Sequence, residues 1–204
     1  MIEILFSFVL ATLALAVSPG PDNIFVLTQS MVNGKKYGLA TVYGLMTGCI
    51  IHTSLVAFGI SEILKRNENL FFTIKLFGVG YLLYLAVQVF RSSSNIEFST
   101  DNVQQKTTGQ LFKTGFWMNV LNPKVTIFFL AFFPQFLFSE ALSTVLQFYV
   151  LGGLFILTSF IVFSTIAVLA GSIADYTKKH KKSGVFFKWL QIVVFVGIAI
   201  FILI

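Results

Sequence analysis

The sequence predicts an all-α polytopic membrane protein of six transmembrane helices arranged as two inverted three-helix repeats. Three observations predict it. Hydrophobic residues make up 56% of the 204, mean hydropathy is +0.88, and charged residues are only 11%, against roughly a quarter in a soluble domain. The apolar residues fall into six segments separated by short polar punctuation, and at ~20 residues per bilayer crossing the chain holds about six spans and little else. Two of those segments are broken by proline, and each break carries a charge.

The first segment runs from about Ile4 to Met31, interrupted between Ser18 and Asn23. It becomes apolar directly after Met1-Ile2-Glu3, without a basic leader, and is read as a retained span. The second covers about Tyr37 to Ile63 and the third about Leu70 to Phe90. The connection Ser92 to Gln110 is rich in Ser, Thr, Asn and Gln and reads as a mobile loop between the halves. The fourth segment follows at about Thr114 to Phe138, the fifth at Leu142 to Ile173, and the sixth at Val185 to Ile204. The expected organisation is one transmembrane domain, residues 1–204, with repeats at about 1–91 and 111–204.

Charge orients the loops. Loops 1, 3 and 5 hold ten basic residues and loops 2 and 4 hold two, Lys65 and Arg66, with Lys75 and Lys124 left out as intramembrane or nearly so. Lys and Arg accumulate on the cytoplasmic side, which places loops 1, 3 and 5 inside and both termini outside. The Lys178–Lys182 cluster around His180 serves this topogenic role or a lipid-binding one. The net charge of +6 is therefore read as topology, not as a nucleic-acid partner. The lone cysteine, Cys49, excludes an internal disulfide or redox pair.

The candidate site lies at the two breaks. In Ser18-Pro19-Gly20-Pro21-Asp22 and Asn122-Pro123-Lys124, proline interrupts the helical ladder beside a charge, an arrangement tolerated at membrane depth only where it lines a cavity or is buried in protein. Aligning the breaks superimposes Pro21 on Pro123 and sets Asp22 against Lys124, as inverted repeats would. Counted at 1.5 Å per residue from Asn33 and from Lys113, both charges fall roughly 16 Å from the cytoplasmic boundary, near the midplane of a ~30 Å core. Pro19, Gly20, Pro21 and Pro123 are expected to free backbone carbonyls, Gly20 by permitting unusual backbone angles. Asp22 and Lys124 together offer both signs to a zwitterion. The alternative is that Asp22 caps a helix and pairs with Lys124 to hold the two breaks together.

Asn119 and Asn122, three residues apart, are expected on one helix face, for substrate or for interhelical bonding. His52 is a proton relay or a donor to a neighbouring carbonyl. Gly44, Gly48, Gly78, Gly152 and Gly153 read as close-packing positions; Tyr81 and Tyr84 line a pathway or an interfacial belt; Lys75 snorkels to the outer interface. No metal or cofactor motif occurs, nor a Walker, His-Glu-x-x-His or Gly-x-Ser-x-Gly signature. For a transport site of this kind the cargo could equally be another small solute or a metal ion, with an intramembrane enzyme as the reading behind transport.

The chain resembles the LysE/RhtB superfamily of amino-acid exporters over essentially its whole length. The resemblance rests on Ser18-Pro19-Gly20-Pro21-Asp22, on Gly44, Gly48 and Gly59, and on Lys75-Leu76-Phe77-Gly78-Val79-Gly80-Tyr81-Leu82-Leu83-Tyr84-Leu85. It continues through Gly115-Phe116, Asn119, Asn122-Pro123-Lys124 and Pro134-Gln135-Phe136. A departure from many such proteins is the content of 25 phenylalanines. The resemblance implies a bacterial inner-membrane protein whose partners are a small-molecule substrate, an amino acid or a relative of one, and the lipid bilayer. It further implies outward transport by proton exchange, with a homo-oligomer compatible.

The charge asymmetry makes a direct prediction. In a Cys49→Ser background, cysteines introduced beside Lys106 or Lys179 should resist an impermeant thiol reagent in intact cells and react after permeabilisation. Labelling from outside reverses the orientation.

Overall fold

The computed structural model describes residues 1–18, 20–66, 68–92, 106–179 and 183–203, and every regular element among them is helical. Helix α1 (Ile2–Val17) and α2 (Pro21–Asn33) meet at the first break with a bend of 60°. Gly34 then turns the chain at φ 96, a left-handed angle that glycine adopts without a Cβ penalty, and α3 (Lys35–Leu55) follows. It continues through a π-turn, Val56–Ile60, into α4 (Ser61–Arg66), and α5 (Glu68–Arg91) returns.

The second half opens with α6 (Thr108–Val120), whose start is fixed by a capping box: Gln110 N–H donates to the Thr107 side chain and Thr107 N–H to the Gln110 side chain. The second break follows, then α7 (Pro123–Ile127), a π-turn (Phe128–Phe132) and a 3₁₀ turn (Phe133–Phe136), bent 49° from α6. Helices α8 (Thr144–Val168), α9 (Ala170–Lys179) and α10 (Ser183–Leu203) complete the chain. Four stretches, α3 through Ile63, α5, α8 and α10, are long and apolar enough to cross a bilayer; the two bent pairs raise the number to as many as six.

Several expected boundaries move. The polar connection ends earlier than composition suggests, because the Thr107 cap starts α6 ahead of Lys113, which lengthens the stretch from which the depth of Lys124 is counted; residues 93–105 lie outside the described residues. The fifth segment is two helices, divided at Leu169, and α9 packs on α2 and α8. The Lys178–Lys182 side chains lie outside the described residues.

Helix α3 is the centre of the bundle, packed against α6, α8 and α2, while α5 pairs with α10 and α1 with α8. Its apolar window is 61% buried against 22% for α5, so the outer helices leave much apolar surface uncovered by the chain; Phe77, Tyr84, Leu157 and Val193 are exposed. Tyr84 bonds to Gln88 one turn on.

Two devices draw the helices together. At Gly44 a Cβ would overlap the Phe112 carbonyl, at Gly115 the Thr41 carbonyl, and at Gly48 it would lie 2.7 Å from Asn119 Oδ1, so α3 and α6 touch backbone to backbone. Gly78 and Gly152 instead make room for the Ala131 and Thr53 side chains, whereas Gly153 faces open space and has no close-packing role. The phenylalanines supply the second device: Phe129 stacks on Phe133 at 4.0 Å, Phe8 meets Phe133 edge-on at 5.0 Å, Phe129 meets Phe155 at 4.9 Å and Phe136 stacks on Phe201 at 5.0 Å. This cluster joins α1, α8 and α10 to the far half of the fourth span. Gln147, buried at the start of α8, closes the adjoining loop: its Oε1 accepts from Phe138 and Ser139 N–H, and its Nε2 donates to the Ser139 and Leu142 carbonyls.

Gly44→Val and Gly115→Val should therefore cost about 1–3 kcal/mol or prevent folding, as overpacking does, while Gly153→Ala should be neutral. Thermal unfolding of the detergent-solubilised protein measures both.

Candidate functional site

Pro21 opens α2 at its first helical position, where its missing N–H is no loss. Gly20, not Asp22, is the N-cap; Asp22 is the second residue of the helix, its carboxylate in the first turn where the helix dipole favours an anion. Gly20 has an ordinary extended backbone, φ −153 and ψ 176, so the expected unusual angles are absent. Pro19 lies outside the described residues. Across this break Asn23 Nδ2 donates to the Ala16 carbonyl at 2.8 Å, satisfying one acceptor that the lost helical turn leaves.

The second break repeats the arrangement. Pro123 opens α7 and Lys124 is its second residue. Pro123 cannot donate to the Asn119 carbonyl, but that oxygen is not free: Asn122 N–H reaches it at 3.0 Å and His52 Nε2 at 3.1 Å. A carbonyl only accepts, so Nε2 carries a proton. His52 is thus the donor to a neighbouring carbonyl, its ring 5.4 Å from that of Phe129, and it stands behind Asn119, not on the cavity wall.

Asn122 joins the breaks. Its Oδ1 accepts from Lys124 N–H at 3.0 Å, capping α7, and its Nδ2 donates to Asp22 Oδ2 at 2.9 Å. Asn119 and Asn122 do not share a helix face, because α6 ends at Val120 between them; both nevertheless line one cavity. That cavity, about 40 Å³, is bounded by α1, α2, α3, α6, α7 and α8, and Asp22, Asn119, Asn122 and Lys124 stand together in its wall with Asn23 and Ser159. It admits at most a few water molecules.

Asp22 and Lys124 share the cavity without a direct ion pair. Asp22 is bonded to Asn122, and the Lys124 ammonium lies 5.2 Å above the Phe195 ring of α10, with no hydrogen-bond acceptor among the described residues. The expected pairing gives way because Asn122, positioned by the cap, takes the carboxylate first. A cation–π contact supplies ~0.5–2 kcal/mol, less than the ~2.5–3.5 kcal/mol that insertion scales assign to a charge at the bilayer centre. Asp22 across the cavity is the counter-charge that offsets the remainder. Lys75 reaches Gln135 Oε1 at 3.4 Å and ties α5 to the 3₁₀ turn instead of snorkelling freely. Tyr81 and Tyr84 are not on the cavity.

This constellation includes the break residues, among them Gly20, Pro21, Asp22, Asn119, Asn122 and Lys124, on which part of the resemblance to known transporters rests. The profile of the LysE type translocator family matches residues 13–204. The chain belongs to that family. This LysE-type chain is 33% identical over 177 residues to a homoserine/homoserine lactone efflux protein of Salmonella typhimurium, covering 87% of the chain and 85% of the relative. It is equally similar, over the same shares, to the protein of the same name from Salmonella typhi. No solved structure matches.

Sequence reasoning missed three contributors. Asn23 was legible, being a polar residue directly after a charge in a break. Ser159 was not, since the apolar fifth segment holds other hydroxyls of equal appearance, and Phe195 is one phenylalanine of 25.

Asn122→Ala removes the cap and the Asp22 bond at once, and should lower stability by about 2–4 kcal/mol. Asn122→Asp should be worse, setting a second carboxylate against the first. Denaturation midpoints in detergent distinguish them.

Proposed function

We propose that the chain is a secondary exporter of small amino acids or closely related metabolites, working across a bacterial inner membrane by exchange with protons. The observation that carries this reading is the meeting of two proline-broken spans at one cavity that presents a carboxylate and an ammonium not paired to each other. A zwitterion needs both: its ammonium approaches Asp22, whose Oδ1 makes no bond among the described residues, and its carboxylate approaches Lys124. The efflux named for the relatives supports the outward direction.

Exchange then follows from charge. With Asp22 ionised the site accepts the substrate ammonium; with Asp22 protonated that attraction is lost and the substrate leaves, so proton and substrate compete for one carboxylate. Asp22 is suited to this because it is the one acidic residue placed well inside an apolar segment and because burial leaves it few alternative partners. At about 40 Å³ the cavity is smaller than an amino acid, and the site must widen to admit cargo.

The architecture we assign is six spans in two inverted three-helix repeats, about 1–91 and 111–204, with loops 1, 3 and 5 cytoplasmic. Supporting it, each break places proline at the first helical residue and a charge at the second. Asn119 and Asn122 complete the substrate site, and His52 acts on it by holding the Asn119 carbonyl.

The test is efflux from proteoliposomes with and without an imposed pH gradient. Asp22→Asn and Lys124→Met should each reduce transport on the order of 100-fold, the equivalent of ~2.5–3.5 kcal/mol of unmatched charge. An Asp22→Asn protein that still responds fully to the gradient removes the proton role.

A further inference from the structure

A column of aromatic rings runs from the cavity towards one end of the bundle. Phe155 of α8 lines the cavity and its ring centroid lies 5.8 Å from that of Phe133. Phe133 meets Phe8 of α1 edge-on at 5.0 Å, and Phe8 meets Phe136 at 5.2 Å. Phe129 stacks on Phe133 at 4.0 Å and meets Phe155 at 4.9 Å, thickening the column beside the cavity. None of these five rings is more than 5% exposed. Phe8 stands near the start of α1, and Phe136 at the end of the fourth span just ahead of α8. The rings therefore occupy the interior between the cavity and the end of the bundle where α1 begins.

Two features separate this column from ordinary core filling. The first is its backbone: Phe129, Phe133 and Phe136 belong to one stretch that leaves α geometry for a π-turn and then a 3₁₀ turn. π-turns are rare within helices and concentrate at functional positions, and 3₁₀ hydrogen bonds have poorer geometry than α-helical ones. The second is Thr12. Residues 8, 12 and 15 fall on one helix face, and Phe8, Thr12 and Leu15 are all buried, so Thr12 lies along α1 between the column and the cavity that Leu15 lines. Thr12 is wholly inaccessible, yet its hydroxyl is one of six buried side-chain atoms with no hydrogen-bond partner among the described residues, that of Ser159 on the cavity wall being another. The hydroxyls of Ser30, Thr53 and Thr165 fold back onto the carbonyl four residues earlier; that of Thr12 does not. A partnerless hydroxyl inside an apolar bundle is costly and calls for an explanation. A polar molecule passing along that face of α1 supplies its partner.

We propose that this column is the gate of a passage leading from the cavity along α1, between α8 and the far half of the fourth span, and that Thr12 bonds polar cargo or water there when the rings part. The proposal rests on the reading of the cavity as the amino-acid site; with both termini outside, the passage is the exit. Hydrophobic constrictions close by excluding water, and packed rings offer a zwitterion no hydrogen bond in place of those it would surrender. Opening requires no helix to unfold. Phe129, Phe133 and Phe136 share one short segment, so a shift of the π- and 3₁₀ turns draws all three away from Phe8 and Phe155 together. The loop beyond Phe136, which Gln147 ties to α8, is the fixed point of that shift.

Cys49, the single cysteine, is a built-in reporter, since it lines the cavity and is fully buried. A small impermeant methanethiosulfonate is applied to the full chain in intact cells and in inverted membrane vesicles, with an N-terminal epitope marking the face where α1 begins. Phe133→Ala and Phe8→Ala should each raise the rate of Cys49 modification about 10-fold or more from that face alone, as a minor open state becomes populated. Phe133→Leu, a milder loss of volume, should raise it less and in the same direction. Phe201→Ala removes a ring that stacks on Phe136 but is 44% exposed at the rim, and should leave Cys49 protected. Thr12→Val deletes a hydroxyl that has no partner in the fold, so the protein should accumulate normally while serine efflux from proteoliposomes slows about 3- to 10-fold; Thr12→Ser should restore it. Continued protection of Cys49 in all the Phe133 and Phe8 variants overturns the gate, as does equal modification from both faces, the mark of a core that has merely loosened. Unchanged efflux in Thr12→Val overturns the role of Thr12. A wild type that exports no amino acid overturns the underlying reading, while the labelling of Cys49 still decides whether the rings close a passage.

Discussion

Everything at the centre of this protein depends on the rule that a backbone polar group in an apolar medium must find a partner. Two spans are broken by proline, and each break strips a helix of part of its ladder. The molecule answers with side-chain amides and one imidazole: Asn23 for the Ala16 carbonyl, His52 for that of Asn119, Asn122 for the Lys124 N–H. Those repairs determine where the charges go. Because Asn122 must cap α7, its remaining amide protons are turned towards Asp22, and the carboxylate is committed before the lysine can claim it.

The electrostatic consequence is a site held slightly out of balance. Asp22 carries one strong bond and Lys124 rests on an aromatic face, so neither is fully compensated within the chain. A tight ion pair would have been a stable strut; on the proposed reading it would also have been a poor site, since separating it in low dielectric costs several kcal/mol. Interposing an amide keeps both charges inside one cavity and both still receptive. Glycine at the α3–α6 contact and phenylalanine around the far half of the fourth span then hold the walls without adding polar groups that would compete.

Much of this was written in the sequence. Composition and spacing identify the helical membrane class, and the proline-charge pairs locate the breaks, because both signals are local and strong. Geometry across the breaks was not legible. The face shared by Asn119 and Asn122 was inferred from helical periodicity, which fails where α6 stops at Val120; the ion pair was inferred from opposite charge, which ignores the competing cap. Gly153 resembles Gly152 in sequence yet faces open space, since only a neighbouring helix decides which of two adjacent glycines is pressed. Ser159 is invisible for the same reason. Its distinction is an absent bond, and absent bonds leave no mark on composition.

Gln147 has a mechanical meaning beyond closing a loop. One buried amide clasps the Phe138 and Ser139 N–H groups and the Ser139 and Leu142 carbonyls, all from the first turn of α8. The 3₁₀ turn ends at Phe136, just ahead of this clasp. The loop that follows the fourth segment is thereby tied to the start of α8 by hydrogen bonds from one side chain, and Ser159 lies about three turns further along the same helix. Separating that loop from α8 would break all of those bonds at once, so a single side chain makes the two segments one mechanical unit.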